Sequence, residues 1–247
     1  MIVTFLTDFG LQDDFVGTCH GVIATIAPDA RVIDITHGIA PQAVLQGAVV
    51  LRNTLPYMPV GVHLAVVDPG VGSKRRAIAL RTREGRLFVG PDNGLLMLAA
   101  ADVEAAHELV HYRLEPVSRT FHGRDIFSPA AAHLAAGVAI DELGPAVDPA
   151  TLVRLDMPER PTVIVVDRFG NVATNLRRED LPAPGTRVEV SFALDRYYAV
   201  VAETFADVPP GELILYEDSY GMVTLAISNG SAARLTGATV GDELRIA

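Results

Sequence analysis

The chain has 247 residues, 49% of them hydrophobic and 20% charged, which excludes a disordered polymer and suffices for one large domain or two modest ones. Its formal net charge is −10, with acids spread along the chain and no Lys/Arg cluster, so no nucleic-acid footprint is expected. The single cysteine, Cys19, rules out an internal disulfide and fits a cytoplasmic setting, and no long uncharged apolar run suggests a membrane span.

Ile2 to Leu6 reads as a short buried strand rather than a signal peptide, since no basic n-region precedes it. It ends in Thr7-Asp8-Phe9-Gly10. Phe15, Val16, Cys19, Val22, Ile23 and Ile26 then share one face at helical spacing, behind Gln12-Asp13-Asp14, whose acids suit the positive end of a helix. Arg31 to Ile35 predicts a strand, and Pro41 with Val44 to Thr54 a helix whose first turn holds the proline. Val62 to Val67 is the third strand. Ala77 to Arg81 and Arg86 to Val89 pair around Glu84-Gly85. Leu95 to Ala101 is expected to be helical, Glu108 to His111 to be a short strand, and Ala130 to Ala136 to be a helix opened by Ser128-Pro129.

The character changes near residue 155. Helical periodicity largely stops, and six strand candidates follow: Thr162–Val166, Thr186–Phe192, Tyr197–Val201, Glu212–Tyr216, Met222–Ile227 and Glu243–Ile246. The expected fold class is α/β: a largely parallel-sheet α/β domain over 1–155, a linker over 156–161, and a smaller all-β, barrel-like domain over 162–247.

Ligands of open α/β sheets bind beyond the carboxyl ends of the strands. Four loops there carry chemistry: Asp8; Asp68-Pro69-Gly70-Val71-Gly72 with Arg75; Asp92-Asn93-Gly94; and Thr120-Phe121-His122-Gly123-Arg124-Asp125. Each has a plainer reading as a turn with a capping carboxylate and solvated arginines. Asp92-Asn93-Gly94 and Arg76 stay with that reading. Asp8 has the type and place to accept hydrogen bonds from a ribose diol. His20, His37, His63, His107, His111 and His133 show no ligand spacing with a third donor, so no metal is expected. No G-x-G-x-x-G, P-loop or G-x-S-x-G motif is present. In the second half, Asp167-Arg168-Phe169-Gly170-Asn171, Asp218-Ser219-Tyr220-Gly221 and Ser228-Asn229-Gly230 read locally as polar turns.

Taken together, Thr7–Gly10 with Asp13-Asp14, Val67–Gly72 with Arg75, Thr120–Asp125 and Asp167–Val172 resemble the S-adenosylmethionine hydroxide adenosyltransferases, relatives of the chlorinases and fluorinases, over nearly the whole chain. The resemblance implies hydrolysis of S-adenosyl-L-methionine to adenosine and L-methionine by a homotrimer with active sites between subunits. It implies no cofactor, since S-adenosyl-L-methionine is the substrate. It makes Asp68, Arg75 and His122 the water-activating residues. Asp8 would hold the ribose hydroxyls, with Asp13 beside it in the same motif. Asp167 and Ser219 would hold the methionine end, and Asn171, Asn229 and Gly230 would face the adenine against Phe169. Tyr220 departs from the fluorinase-like pattern, which has Arg after the serine.

Chemistry supports the water-using branch. A carboxylate at Asp68 repels a halide, and water needs a proton acceptor within hydrogen-bond reach. Two other readings are a halogenase, which needs no acid there, and a non-catalytic nucleoside-binding module, which needs no Asp68–Arg75–His122 convergence.

Overall fold

A computed structural model describes residues 1–247, and its internal contacts divide the chain into two units, Met1–Leu155 and Asp156–Ala247.

In the first unit six strands form one sheet: β1 (Ile2–Thr7), β2 (Arg31–Thr36), β3 (Val62–Val66), β4 (Ala77–Thr82), β5 (Leu87–Pro91) and β6 (Val103–Glu108), in the order β2-β1-β3-β5-β4-β6. The β1–β2, β1–β3 and β3–β5 pairs are parallel, whereas β4 runs antiparallel to both β5 and β6. The helices α1 (Phe15–Ile26), α2 (Val44–Thr54) and α3 (Ser128–Ala135) cover the sheet. All five residues of β3 are buried, His63 included, which explains why four of the five are apolar. One core joins Phe5, Leu64 and Val66 to Val16, Cys19 and Ile23 of α1 and to Ala130, Ala131, Ala132 and Leu134 of α3. The other joins Leu6, Ala65 and Val67 to Ala48 and Leu51 of α2. Alternate residues of β1 and β3 thus feed opposite faces. Each fully buried Leu or Phe contributes about 1.5–3 kcal/mol of transfer free energy.

The second unit is a curled half-barrel of β7 (Val163–Val166), β8 (Val172–Thr174), β9 (Arg187–Phe192), β10 (Asp195–Val201), β11 (Leu213–Glu217), β12 (Val223–Ile227) and β13 (Leu244–Ile246), ordered β13-β9-β10-β11-β12-β8-β7, with the short helix α4 (Ala232–Thr236). Its core holds Val190, Leu215, Val223 and Leu225. The α/β class with a β-rich second half is therefore as the periodicity indicated. No helix is long and apolar enough to cross a membrane.

Four local expectations need correction. Leu95 to Ala101 is a run of turns, not a helix. Leu95, Leu96 and Met97 are all buried, so the segment has no polar face, and Asn93 holds it by accepting from the Leu95 N–H and donating to the Val67 carbonyl. The strand expected at Glu108–His111 lies at Val103–Glu108, paired with β4. Pro41 precedes α2 rather than sitting in its first turn, because Gln42 takes φ 66° and breaks the helical path. The three-residue β8 was hidden in what reads as a polar turn.

Candidate active site

In the register of β1 and β3, Thr7 stands opposite Val66. The residues that follow, Asp8 and Asp68, therefore emerge on neighbouring parallel strands at the same sheet edge. Asp8 is half-buried and accepts the Gln42 N–H through Oδ2 at 2.8 Å. Burial pushes its carboxyl above the ordinary value, the Gln42 N–H opposes that, and the negative charge of Asp68 adds to the rise.

The loop after β3 is a tight pair of turns, with Val71 N–H on the Asp68 carbonyl and Ser73 N–H on that of Gly70. It returns Arg75 onto Asp68. Arg75 Nε donates to Oδ1 at 2.9 Å and to Oδ2 at 3.0 Å, and Nη2 donates to Oδ2. Both side chains are nearly closed off from solvent, 11% and 6% exposed. An ion pair this dry depends on its hydrogen bonds to offset desolvation. Phe127, fully buried, supports the Arg75 guanidinium from behind at 5.0 Å.

His122 reaches the same guanidinium from the other loop: Arg75 Nη2 donates to its Nδ1 at 2.8 Å. Two features set this approach. Gly72 takes φ 75°, and a Cβ there would lie 2.4 Å from the Arg119 carbonyl, so only glycine lets the loops touch. A π-helical turn, Gly123–Phe127, then leads from His122 into α3. Burial lowers the His122 pKa, and the Arg75 charge lowers it further, so the imidazole is neutral at pH 7. Phe9, Phe15 and Phe121 form an edge-to-face cluster beside this loop, with ring centroids 5.0–6.0 Å apart. Arg124 is taken up by Asp125 at 2.6 and 2.9 Å, and Arg76 by Asp92 and Thr151, so neither belongs to the set. Asp13 is exposed at the start of α1.

In the second unit, Asp167 closes its own turn. Its Oδ1 accepts from the Phe169 and Asn171 N–H groups, and its Oδ2 from Asn171 Nδ2 at 2.7 Å. Gly170 packs where any Cβ would strike Ser231, which seats this turn on the one carrying Asn229 and Gly230. Asn229 has φ 59°, and Phe169 is 76% exposed. Ser219 is exposed on the β11–β12 turn, which Asp218 closes by accepting from the Tyr220 and Met222 N–H groups. Burial raises the Tyr216 pKa, and the charges of Asp218 and Asp167 add to the rise.

The structure thus brings together Asp68, Arg75 and His122, with Asp8 alongside, and separately Asp167, Asn171, Asn229 and Gly230. Gln42, Gly72 and Phe127 hold the first group, a role that sequence pattern does not assign to them. Only Gly72 had a local signal, its place in a Gly-x-Gly turn.

Comparison with known proteins gives these features a context. The N-terminal-domain pattern of SAM hydroxide adenosyltransferases matches residues 3–144, and the C-terminal-domain pattern matches residues 161–245. The chain is 50% identical to the (R)-S-adenosyl-L-methionine hydrolase of Salinispora tropica, covering 99% of this chain and 97% of that protein. It is 41% identical to the protein of the same name from Thermus thermophilus, covering 99% and 98%. A fluorinase of an Actinoplanes species is 27% identical, covering 91% and 90%. Among solved structures, an uncharacterized conserved protein from Thermotoga maritima superposes with TM-score 0.89 at 36% identity, covering 99% of this chain and all of that one.

Proposed function

The chain belongs to the SAM hydroxide adenosyltransferase family, and on that footing we propose that it is an S-adenosyl-L-methionine hydrolase forming adenosine and L-methionine. The observation that carries the reading is the hydrogen-bonded Asp68–Arg75–His122 set at a strand-end edge, in a chain half identical to a protein named for this hydrolysis.

In the proposed reaction a water oxygen attacks C5′ of the adenosyl group. The C5′–O bond forms, the C5′–S bond breaks, and its electron pair neutralises the sulfonium as methionine leaves. The leaving group needs no proton, and no cofactor enters the scheme. The water must shed one proton. Because Arg75 can only donate, His122 Nδ1 is an acceptor and the ring proton sits on Nε2. His122 then offers the water an N–H, and the Asp68 carboxylate is the acceptor. Its Oδ1 takes one hydrogen bond from Arg75 and keeps a lone-pair direction free. Such a base contributes on the order of 10²–10⁴-fold, and in-line positioning adds to it. Asp8 holds the ribose hydroxyls, with Asp13 beside it. Asp167 and Ser219 bind the methionine end, while Asn171, Asn229, Gly230 and Phe169 receive the adenine.

The proposal includes a cytoplasmic homotrimer with active sites between subunits. It also includes the (R) sulfonium epimer as the substrate, because the relatives' names specify it. Displacement in line with the C–S bond depends on where the other sulfur substituents point. The test is incubation of each epimer in oxygen-18 water. The expected result is faster loss of the (R) epimer with label in the adenosine 5′-hydroxyl. Unlabelled adenosine, or substrate recovered intact, would contradict the proposal.

A further inference from the structure

We propose that His20, Asp34 and His37 form a three-ligand site for a divalent transition ion of the zinc class at the β2 edge of the first unit. Their donor atoms come from three different elements: His20 from α1, Asp34 from β2, and His37 from the loop after β2. All three lie within 4.8 Å of one another. His20 Nε2 is 2.9 Å from Asp34 Oδ1, and His37 Nε2 is 3.2 Å from the same oxygen. Zinc bonds of about 2.0–2.1 Å in a tetrahedral site put neighbouring ligand atoms about 3.3 Å apart; the two contacts to Asp34 are close to that, and the two imidazole nitrogens, within 4.8 Å of each other, would draw together around a bound ion.

The second observation is the state of His37. Its side chain is only 3% exposed, and its Nε2, though near Asp34, makes no hydrogen bond. A buried ring nitrogen this close to a carboxylate yet out of line for a well-formed hydrogen bond calls for an explanation. A lone pair aimed at an ion points between the ligands rather than along a ligand–ligand line, which accounts for the misalignment of His37, while His20 Nε2 is hydrogen-bonded to Asp34 Oδ1 and would exchange that bond for the ion. The far side of the ring is fixed as metal-bound imidazoles are. His37 Nδ1 lies 2.8 Å from Thr7 Oγ1, and Phe5 packs edge-on at 4.8 Å. With the proton on Nδ1, Nε2 presents its lone pair to the cluster.

His20 and Asp34 side chains are 35% and 43% exposed, which leaves an entry path and room for water as a fourth ligand. Two imidazoles and one carboxylate match zinc, cobalt or nickel rather than calcium or magnesium. Thr7 leads directly into Asp8, so a bound ion would brace the end of β1 beside the candidate active site. Spacing along the chain does not announce the trio, because it joins a helix to an edge strand. The inference is independent of the proposed hydrolysis.

The test uses the full chain, freed of metal by a chelator and titrated with Co²⁺. The result expected is one equivalent bound, with the visible ligand-field absorption of a low-coordinate nitrogen–oxygen site, displaced by Zn²⁺. His20→Ala, at a half-buried side chain, and Asp34→Asn, at an exposed one, should each weaken binding by at least ~10-fold. His111→Ala, at an exposed histidine elsewhere, should leave it unchanged. Circular dichroism reports whether each variant is folded. Absence of stoichiometric Co²⁺ binding by the parent chain, or a loss below tenfold in the two folded variants, would overturn the proposal.

Discussion

Arg75 donates its Nη2 hydrogen to His122 Nδ1 at 2.8 Å while the same guanidinium holds Asp68. One side chain therefore sets the orientation of an acid and the tautomer of an imidazole. Lysine is a point charge and cannot reproduce that fork. Arg75→Lys is expected to lower kcat by about 10²-fold, the low end of what general-base contributions span, with a smaller change in KM. Steady-state kinetics on S-adenosyl-L-methionine check this; a KM effect alone would assign Arg75 to binding.

The same contact fixes a pH dependence. Burial, then the Arg75 charge, depresses the His122 pKa, so the neutral imidazole persists below its ordinary value of about 6.5. Activity that needs it is present above that pH and is lost as pH falls through the depressed pKa. Asp8, lifted by burial, adds to the same acid limb. A kcat/KM profile should be flat from neutral pH to about 6.5 and fall only below it. A limb centred above that value would contradict the assignment.

Gly72 keeps the two loops in contact. Gly72→Ala puts a Cβ 2.4 Å from the Arg119 carbonyl at φ 75°. Strain of this kind costs about 1–3 kcal/mol, and the backbone shift that relieves it separates Arg75 from His122. Chemical denaturation should show the loss of stability, and the folded variant should lose turnover. Unchanged activity would mean the loop contact is dispensable.

His63 gives the fold an acid weakness away from the chemistry. It is fully buried, Arg86 donates to its Nε2 at 3.2 Å, and its Nδ1 meets Thr4 Oγ1 at 2.9 Å. Burial, aided by the Arg86 charge, pushes its pKa down to about 4. In the unfolded chain it titrates near the ordinary ~6.5. The unfolded state therefore binds more protons between those values, and stability falls as pH drops through that window, by roughly 3 kcal/mol in all. Urea midpoints at pH 7 and pH 5 should differ less in His63→Gln than in the parent chain; equal differences would remove His63 as the cause.

Much of the fold was legible because its signals are local. The face of α1, the largely apolar run of β3 and the alternation in the second half each state their environment within a few residues. Leu95 to Ala101 misled because burial on every side erases periodicity. The candidate site was legible only as separate strand-end loops. The contact between Arg75 and His122 joins residues 47 positions apart, and the β1–β3 pairing that sets Asp8 beside Asp68 is equally remote from local pattern. Phe127 beneath Arg75 had no signal at all, since a phenylalanine leading an apolar helix looks like any core residue.

The central claim is that the Asp68 carboxylate takes the proton from the attacking water. Asp68→Asn keeps the shape and one acceptor for Arg75 while removing the base. Single-turnover formation of adenosine, measured alongside calorimetric binding of S-adenosyl-L-methionine, tests it most directly. The account predicts a rate lower by about 10²–10⁴-fold with binding retained in a folded protein. Adenosine formation at the parent rate in that variant would contradict it.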